Sequence, residues 1–252
     1  MGEALLVALL KAGANPAAVK FAVRRPERSA EIQERYKIAP ASIQELAATS
    51  DVLMLIMKPQ QLDPIMEEIK PVLKSGALVI SFLAGKKIAT LEAGLGTSSV
   101  VRVMPNTPTL LGAGMSIVSY GAGVREDQRI FVSEFLRAAG KSIEVPEDMQ
   151  DSATATSGSG PAYFFAFVEA MVAGAMDMGI SESVATELVI QTMVGAAKML
   201  TETGKSATTL RENVTSPNGV TFAGLKVLGE GDLNGLVIRA MNSAANRSRE
   251  MA

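Results

Sequence analysis

The chain has 252 residues, 48% apolar, 4% aromatic and 20% charged, with a formal net charge of −2. That content supports one or two packed domains and offers no basic stripe, so nucleic acid and anionic membrane are not expected partners. Neither Cys nor His occurs, which excludes disulfides and thiolate chemistry, removes the commonest acid–base group and metal ligand, and suits a cytoplasmic protein.

The chain opens at Met1-Gly2-Glu3-Ala4-Leu5-Leu6 and runs straight into a helical pattern. Glu3 to Leu10 is too short, and lacks the basic head, for a signal peptide. Short β-like runs follow at Lys20–Val23, Asp51–Met57, Ala77–Phe82, Val100–Val103, Ser116–Ser119 and Ser142–Val145. Helical patterns at Ala41–Ala48, Gln60–Leu73 and Glu126–Ala139 alternate with them, which predicts a parallel, doubly wound sheet. Asp51–Met57 and Ala77–Phe82 are apolar nearly throughout, as strands covered on both faces should be. Beyond about residue 148 only helices are expected: Pro161–Met178, Ser181–Glu202, a short segment at Leu210, Asn218–Leu228 and Leu233–Glu250. Gly179 and Ser181 mark a helix stop and an N-cap. These helices are apolar over wide faces, which predicts a subunit interface more than a monomeric core. No run of about 18 uninterrupted apolar residues is present, so no membrane span is expected.

Three polar Gly/Pro-rich turns stand between apolar segments. They are Arg102-Val103-Met104-Pro105-Asn106-Thr107-Pro108 with Gly112-Ala113-Gly114, Ser157-Gly158-Ser159-Gly160-Pro161-Ala162-Tyr163, and Asn213-Val214-Thr215-Ser216-Pro217-Asn218-Gly219-Val220-Thr221. Such turns present backbone N–H groups and small hydroxyls to a ligand. Pro161 suits a first helical turn, where it gives up no useful N–H. Read alone, several of these features have structural alternatives: a packed helix entry at Ser157–Pro161, an exposed carboxylate at Glu147, an ordinary surface lysine at Lys58.

In this order and spacing the three blocks resemble pyrroline-5-carboxylate reductase, and the resemblance runs from residue 1 to about residue 250. It implies an α/β fold: a doubly wound (Rossmann-like) NADPH-binding domain over residues 1–147, then an all-α dimerisation and substrate domain over 148–252. Gly2 takes the place of the last small residue of a dinucleotide fingerprint whose strand and first two glycines are absent. The expectation is that the sequence is an incomplete version of a longer product; the alternative is weakened cofactor affinity. Arg24 and Arg25 lie where an NAD enzyme would carry an acidic residue, and suit the 2′-phosphate of NADPH, with NADH possible; the alternative is a pair of solvated loop arginines. The resemblance also implies cofactor contacts at Ile56, Met57, Lys58, Pro59, Phe82, Leu83 and Ala84, and at Asn106, Glu147 and Asn213. Ile43 departs from an Asn common among relatives.

Ser216, Asn218, Gly219 and Val220 would clamp the substrate carboxylate, since a turn entering a helix aims free N–H groups at an anion. Thr221 would bond the ring nitrogen during hydride transfer to the C=N carbon of 1-pyrroline-5-carboxylate. Asn218 replaces a usual Gly, and Asn tolerates left-handed backbone. The implied assembly is a dimer or ring of dimers. The competing readings are a hydroxy-acid-dehydrogenase type of NADPH reductase with Lys198 or Lys205 as acid, and a cofactor-deficient, non-catalytic paralogue.

Overall fold

The computed structural model describes residues 1–251; Ala252, the end of the expected second domain, lies outside the described residues. The chain enters helix α1 (Gly2–Lys11) at once, then strand β1 (Lys20–Phe21), α2 (Pro26–Tyr36), β2 (Ala39–Pro40) and α3 (Ile43–Thr49). The sheet elements continue with β3 (Val52–Leu55), α4 (Leu62–Ile69), β4 (Leu78–Ser81), α5 (Ile88–Leu95), β5 (Val100–Met104), β6 (Gly114–Tyr120), α6 (Glu126–Arg137) and β7 (Gly140–Glu144). The remainder is helical: α7 (Gln150–Ala153), α8 (Gly160–Asp177), α9 (Glu182–Glu202), α10 (Ala207–Asn213), α11 (Val220–Glu230) and α12 (Leu233–Glu250).

Local chemistry sets these boundaries. The Ser42 hydroxyl accepts the Glu45 N–H at 3.1 Å and starts α3. Pro26 opens α2, where its missing N–H costs nothing. Gly96, at φ 71°, stops α5 as a left-handed cap.

Strands β3-β4-β5-β6-β7 form a five-stranded sheet in that order, while β1 and β2 pair with each other in a separate parallel pair. Among the described residues, β1 and β3 each keep one edge without a strand partner. The β3-β4, β4-β5 and β6-β7 pairs are parallel, but β6 runs antiparallel to β5. The expectation of a wholly parallel sheet fails at this one step. Only the short 3₁₀ turn Thr107–Leu111 joins β5 to β6, and a parallel return needs a crossover of a dozen residues or more.

Two apolar layers cover the sheet. On one face Leu5 and Ala8 of α1 and Val132, Phe135 and Leu136 of α6 pack on Leu78, Ile80, Val101, Val103 and Val118. On the other, Ala47, Leu62, Met66, Ile69, Leu91 and Leu95 of α3, α4 and α5 pack on Leu53, Leu55, Val79 and Val100. β4 is buried along its whole length. One close backbone approach locks the β6–β7 register. Gly114 pairs with Gly140, whose φ is 139°, and a Cβ there would stand 2.1 Å from the Gly114 carbonyl oxygen.

The chain divides into two compact units: Met1–Ser159 with the C-terminal turns from Ser243, and Gly160–Asn242. In the second, α8 and α9 pack together, and Ala185 and Val189 are buried. Ser181 stands at the N-cap of α9 without a side-chain capping bond. Phe164, Phe165, Leu188, Leu236 and Ile238 are each more than half exposed. Glu147–Asp177 is one continuous helical run of 31 residues with a mean hydropathy of 1.2 over its most apolar stretch. By length and composition it could cross a bilayer, a property that a search for uninterrupted apolar residues misses because Ser, Gly and Glu interrupt it.

Candidate active site

Ligands in doubly wound sheets collect beyond the carboxyl ends of the strands. β3 runs out at Leu55 into Ile56 and Met57, half-buried in opposite apolar layers. Lys58 is exposed, and Pro59 opens a 3₁₀ turn closed by the Gln61 N–H on the Lys58 carbonyl at 2.9 Å. Gly2 comes to the same end of β3: a Cβ on it would lie 3.6 Å from Ile56 Cγ2.

β4 runs into Phe82 and Leu83, both buried; Phe82 meets Phe135 edge to face with ring centroids 6.5 Å apart. Their side chains belong to the core, so what this turn offers a ligand is backbone together with Ala84. β5 ends at Met104 and Pro105, followed by Asn106, 9% exposed. The Asn106 amide bridges two segments: Oδ1 accepts the Met115 N–H at 2.9 Å and Nδ2 donates to the Ser157 carbonyl at 3.0 Å.

Arg24 and Arg25 follow β1, exposed and without an ion pair among the described residues. Arg25 lines a cavity of about 280 Å³ with Glu27, Arg28 and Glu31. Ile43, the departure from the relatives' Asn, packs its side chain on the apolar layer of α3 and α4.

Sequence reasoning missed two charged networks. In the first, Glu3 accepts from Tyr36 Oη and from Arg35 Nη1, each at 2.7 Å, and from Arg28 Nη2. It ties α1 to α2. The Tyr36 hydrogen bond, then Arg28, hold the Glu3 carboxyl down to about 2, and the same bond raises Tyr36. The second network surrounds Arg102, which is 4% exposed in β5. Its guanidinium pairs with Glu147 at 3.4 Å and Asp151 at 3.5 Å. Glu147 also accepts the Ile88 N–H at the start of α5 at 2.6 Å, and Asp151 accepts the Ser248 hydroxyl at 2.6 Å. Gln150 Nε2 donates to Ser119 Oγ at 3.0 Å. Glu147 thus spends at least one carboxylate oxygen on protein partners. Partners separated by 25 to 97 residues carry no local pattern that a sequence reading can detect.

Asn213, Ser216, Asn218, Gly219, Val220 and Thr221 belong to the second unit; every other predicted cofactor residue belongs to the first. The Gly219 N–H closes a turn on the Ser216 carbonyl at 3.0 Å, with Asn218 left-handed at φ 57°. That geometry explains how Asn stands at a position that otherwise favours Gly. Gly219 is the N-cap of α11 and supplies no side-chain cap, and Val220, 94% exposed, and Thr221 open the helix. The first-turn N–H groups therefore have no side-chain cap, which suits a carboxylate. Asn213 ends α10, exposed. No group of three or more Asp and Glu among the described residues is arranged to hold a metal ion.

A doubly wound sheet with its turns gathered at the strand ends, joined to a helical unit, is the architecture of a nucleotide-dependent oxidoreductase. Residues 1–85 match the family described as NADP oxidoreductase, coenzyme F420-dependent, and residues 147–251 match pyrroline-5-carboxylate reductase dimerisation. The pyrroline-5-carboxylate reductase of Corynebacterium melassecola is 38% identical over 256 residues, covering 100% of this chain and 95% of that protein. The Coxiella burnetii reductase structure superposes with a TM-score of 0.93 at 35% identity, covering 100% of this chain and 94% of that one. A Plasmodium falciparum pyrroline carboxylate reductase structure with NADP bound gives 0.89 at 30% identity, with the same two coverages. This chain belongs to the pyrroline-5-carboxylate reductase family of oxidoreductases.

The Glu3 network yields a pH test. A carboxyl depressed in the folded state stabilises fully above its unfolded pKa, near 4.5, and that stability is lost as pH falls toward 2. Glu3→Gln is expected to cost about 1 kcal/mol at pH 7, given the partly exposed setting. The gap to the parent chain should close between pH 4.5 and 2 in urea denaturation. A gap independent of pH would show that the ionised carboxylate is not what binds α1 to α2.

Proposed function

We propose that this chain reduces 1-pyrroline-5-carboxylate to L-proline with NADPH, as a cytoplasmic enzyme that works as a dimer or a ring of dimers. The observation that carries the reading is the Ser216–Gly219 turn opening directly onto the N-terminus of α11, which bears no side-chain cap. Its first N–H groups would bond a carboxylate, with Thr221 following two residues after the turn.

The residues of the first unit fit a phosphorylated dinucleotide. The start of α1 lies beside Ile56 at the end of β3, Met1 makes no side-chain capping bond there, and Arg24 and Arg25 are free cations beyond β1. Arg24 and Arg25 would hold the 2′-phosphate; Gly2, the Ile56–Pro59 turn and the Phe82–Ala84 backbone would line the cofactor. NADPH, when bound, supplies the hydride for the C=N carbon. Thr221 orients and polarises the ring nitrogen, whose own protonation removes the need for a strong acid on a chain without His. Ser216, Asn218, Gly219 and Val220 hold the carboxylate. Self-association covers the apolar faces of α8, α9 and α12, in keeping with the dimerisation match over residues 147–251.

Steady-state turnover tests the cofactor assignment. NADPH should give a higher kcat/KM than NADH, and replacing Arg24 and Arg25 by Ala should narrow that preference several-fold; equal values in the parent chain would overturn it. Thr221→Ala should lower kcat by about three- to tenfold, the worth of one neutral hydrogen bond, with a smaller change in substrate KM. Thr221→Ser should keep most activity. Loss of turnover in Lys198→Ala with Thr221→Ala tolerated would favour a hydroxy-acid-dehydrogenase type of acid instead.

A further inference from the structure

The helical run Glu147–Asp177 is not uniform. Between α7 and α8 it widens into a π-turn, Thr154–Gly158, in which the Ser159 N–H bonds the Thr154 carbonyl five residues back at 2.9 Å. In a regular helix the Ser157 carbonyl would accept from the residue four positions on. That residue is Pro161, which has no N–H and whose ring crowds the carbonyl four residues earlier. Pro161 stands in the first turn of α8, as expected, but the π-turn lies directly upstream, so the Ser157 carbonyl finds no backbone donor at Pro161. The missing hydrogen bond comes from Asn106 Nδ2, at 3.0 Å. Asn106 is anchored on its other side by the Met115 N–H at the start of β6. The π-turn rests on the carboxyl end of β5, since a Cβ on Gly158 would lie 3.5 Å from Met104 Cε.

We infer that Asn106 is a positioning residue. It supplies the N–H that Pro161 lacks, and so fixes the π-turn and the Ser157–Ser159 backbone against the end of the sheet. One N–H and the carbonyl oxygen of its amide are spent on this bridge, and its part in catalysis is exerted through the π-turn. π-turns inside α-helices recur at functional sites, and this one carries the Ser-Gly-Ser-Gly block beside the strand ends where a ligand would lie. The consequence for turnover rests on the reductase reading above; the consequence for the π-turn itself does not.

The test is hydrogen exchange of the 154–160 segment, read by mass spectrometry in the full chain. Asn106→Asp keeps an acceptor for Met115 and loses the donor to Ser157. It should speed exchange in 154–160 by tenfold or more while β3 and β4 exchange as in the parent. Pro161→Ala restores a backbone donor for Ser157, so in that background Asn106→Asp should have a clearly smaller effect on the same segment. Asn106→Ser serves as the second variant and should loosen both 154–160 and the start of β6. In turnover assays Asn106→Asp should lower kcat tenfold or more, with NADPH dissociation, followed by cofactor fluorescence, changed less than threefold. Unchanged exchange in 154–160, or an equal effect with and without Pro161, would overturn the inference. So would a tenfold loss of NADPH affinity with kcat retained, which would make Asn106 a direct cofactor contact. A parent chain that fails to reduce 1-pyrroline-5-carboxylate would count against the function and leave the exchange result to decide the positioning role.

Discussion

A guanidinium buried in the middle of an apolar sheet is the constraint around which the first unit is organised. Arg102 is 4% exposed on β5, between Val101 and Val103. An isolated charge there would cost several kcal/mol, so the fold must bring carboxylates to it. Both come from the segment that leaves the sheet, Glu147 and Asp151. Each then spends an oxygen on a further element: Glu147 on the first N–H of α5, Asp151 on Ser248 of α12. One buried cation therefore joins the sheet, the start of α5, the helical run after β7 and the last turns of the chain.

The same junction sets where the helical run starts and hence where its irregularity falls. Held at Glu147 and Asp151, the run reaches Thr154–Gly158 beside Met104 and Asn106, at the carboxyl end of β5. Pro161 then dictates that a carbonyl in this stretch must find an outside donor. Rigid anchoring of a turn next to the strand ends is the kind of support that keeps a ligand-facing backbone in place. On the first unit's other flank, Glu3 does for α1 and α2 what Arg102 does for the centre, but in a more exposed setting and with a single carboxylate serving three donors.

Local pattern made much of the fold legible. The apolar runs at β3, β4 and β5 and the wide apolar faces after residue 160 are signals that any short window carries. α2 escaped because only Ile32 of its eleven residues is buried, which leaves no apolar period to detect. β2 is two residues long. The reversal of β6 escaped because a strand's direction depends on the length of its connection, and the Pro-rich 107–111 turn reads as a generic loop. Of the candidate site, the Ser216–Thr221 turn was legible in its residue types and Asn218 in its replacement of a glycine usual in the resembled family, whereas the Arg102 and Glu3 networks join residues far apart in sequence. Glu147 was singled out through family resemblance; its hold on Arg102 and on the Ile88 N–H becomes visible only in three dimensions.

Arg102 acts as a coupled unit with its carboxylates, and a double-mutant cycle in chemical denaturation between Arg102→Met and Asp151→Asn measures that coupling. Either change alone strands a partner; breaking a buried ion pair from one side costs about 3–5 kcal/mol, less here because Glu147 remains to share the charge. Coupled partners should give an interaction energy of about 1 kcal/mol or more, with the double variant clearly less destabilised than the sum of the singles. Additive effects, within about 0.3–0.5 kcal/mol, would contradict the account and reduce Arg102 to a buried charge that its neighbours merely tolerate.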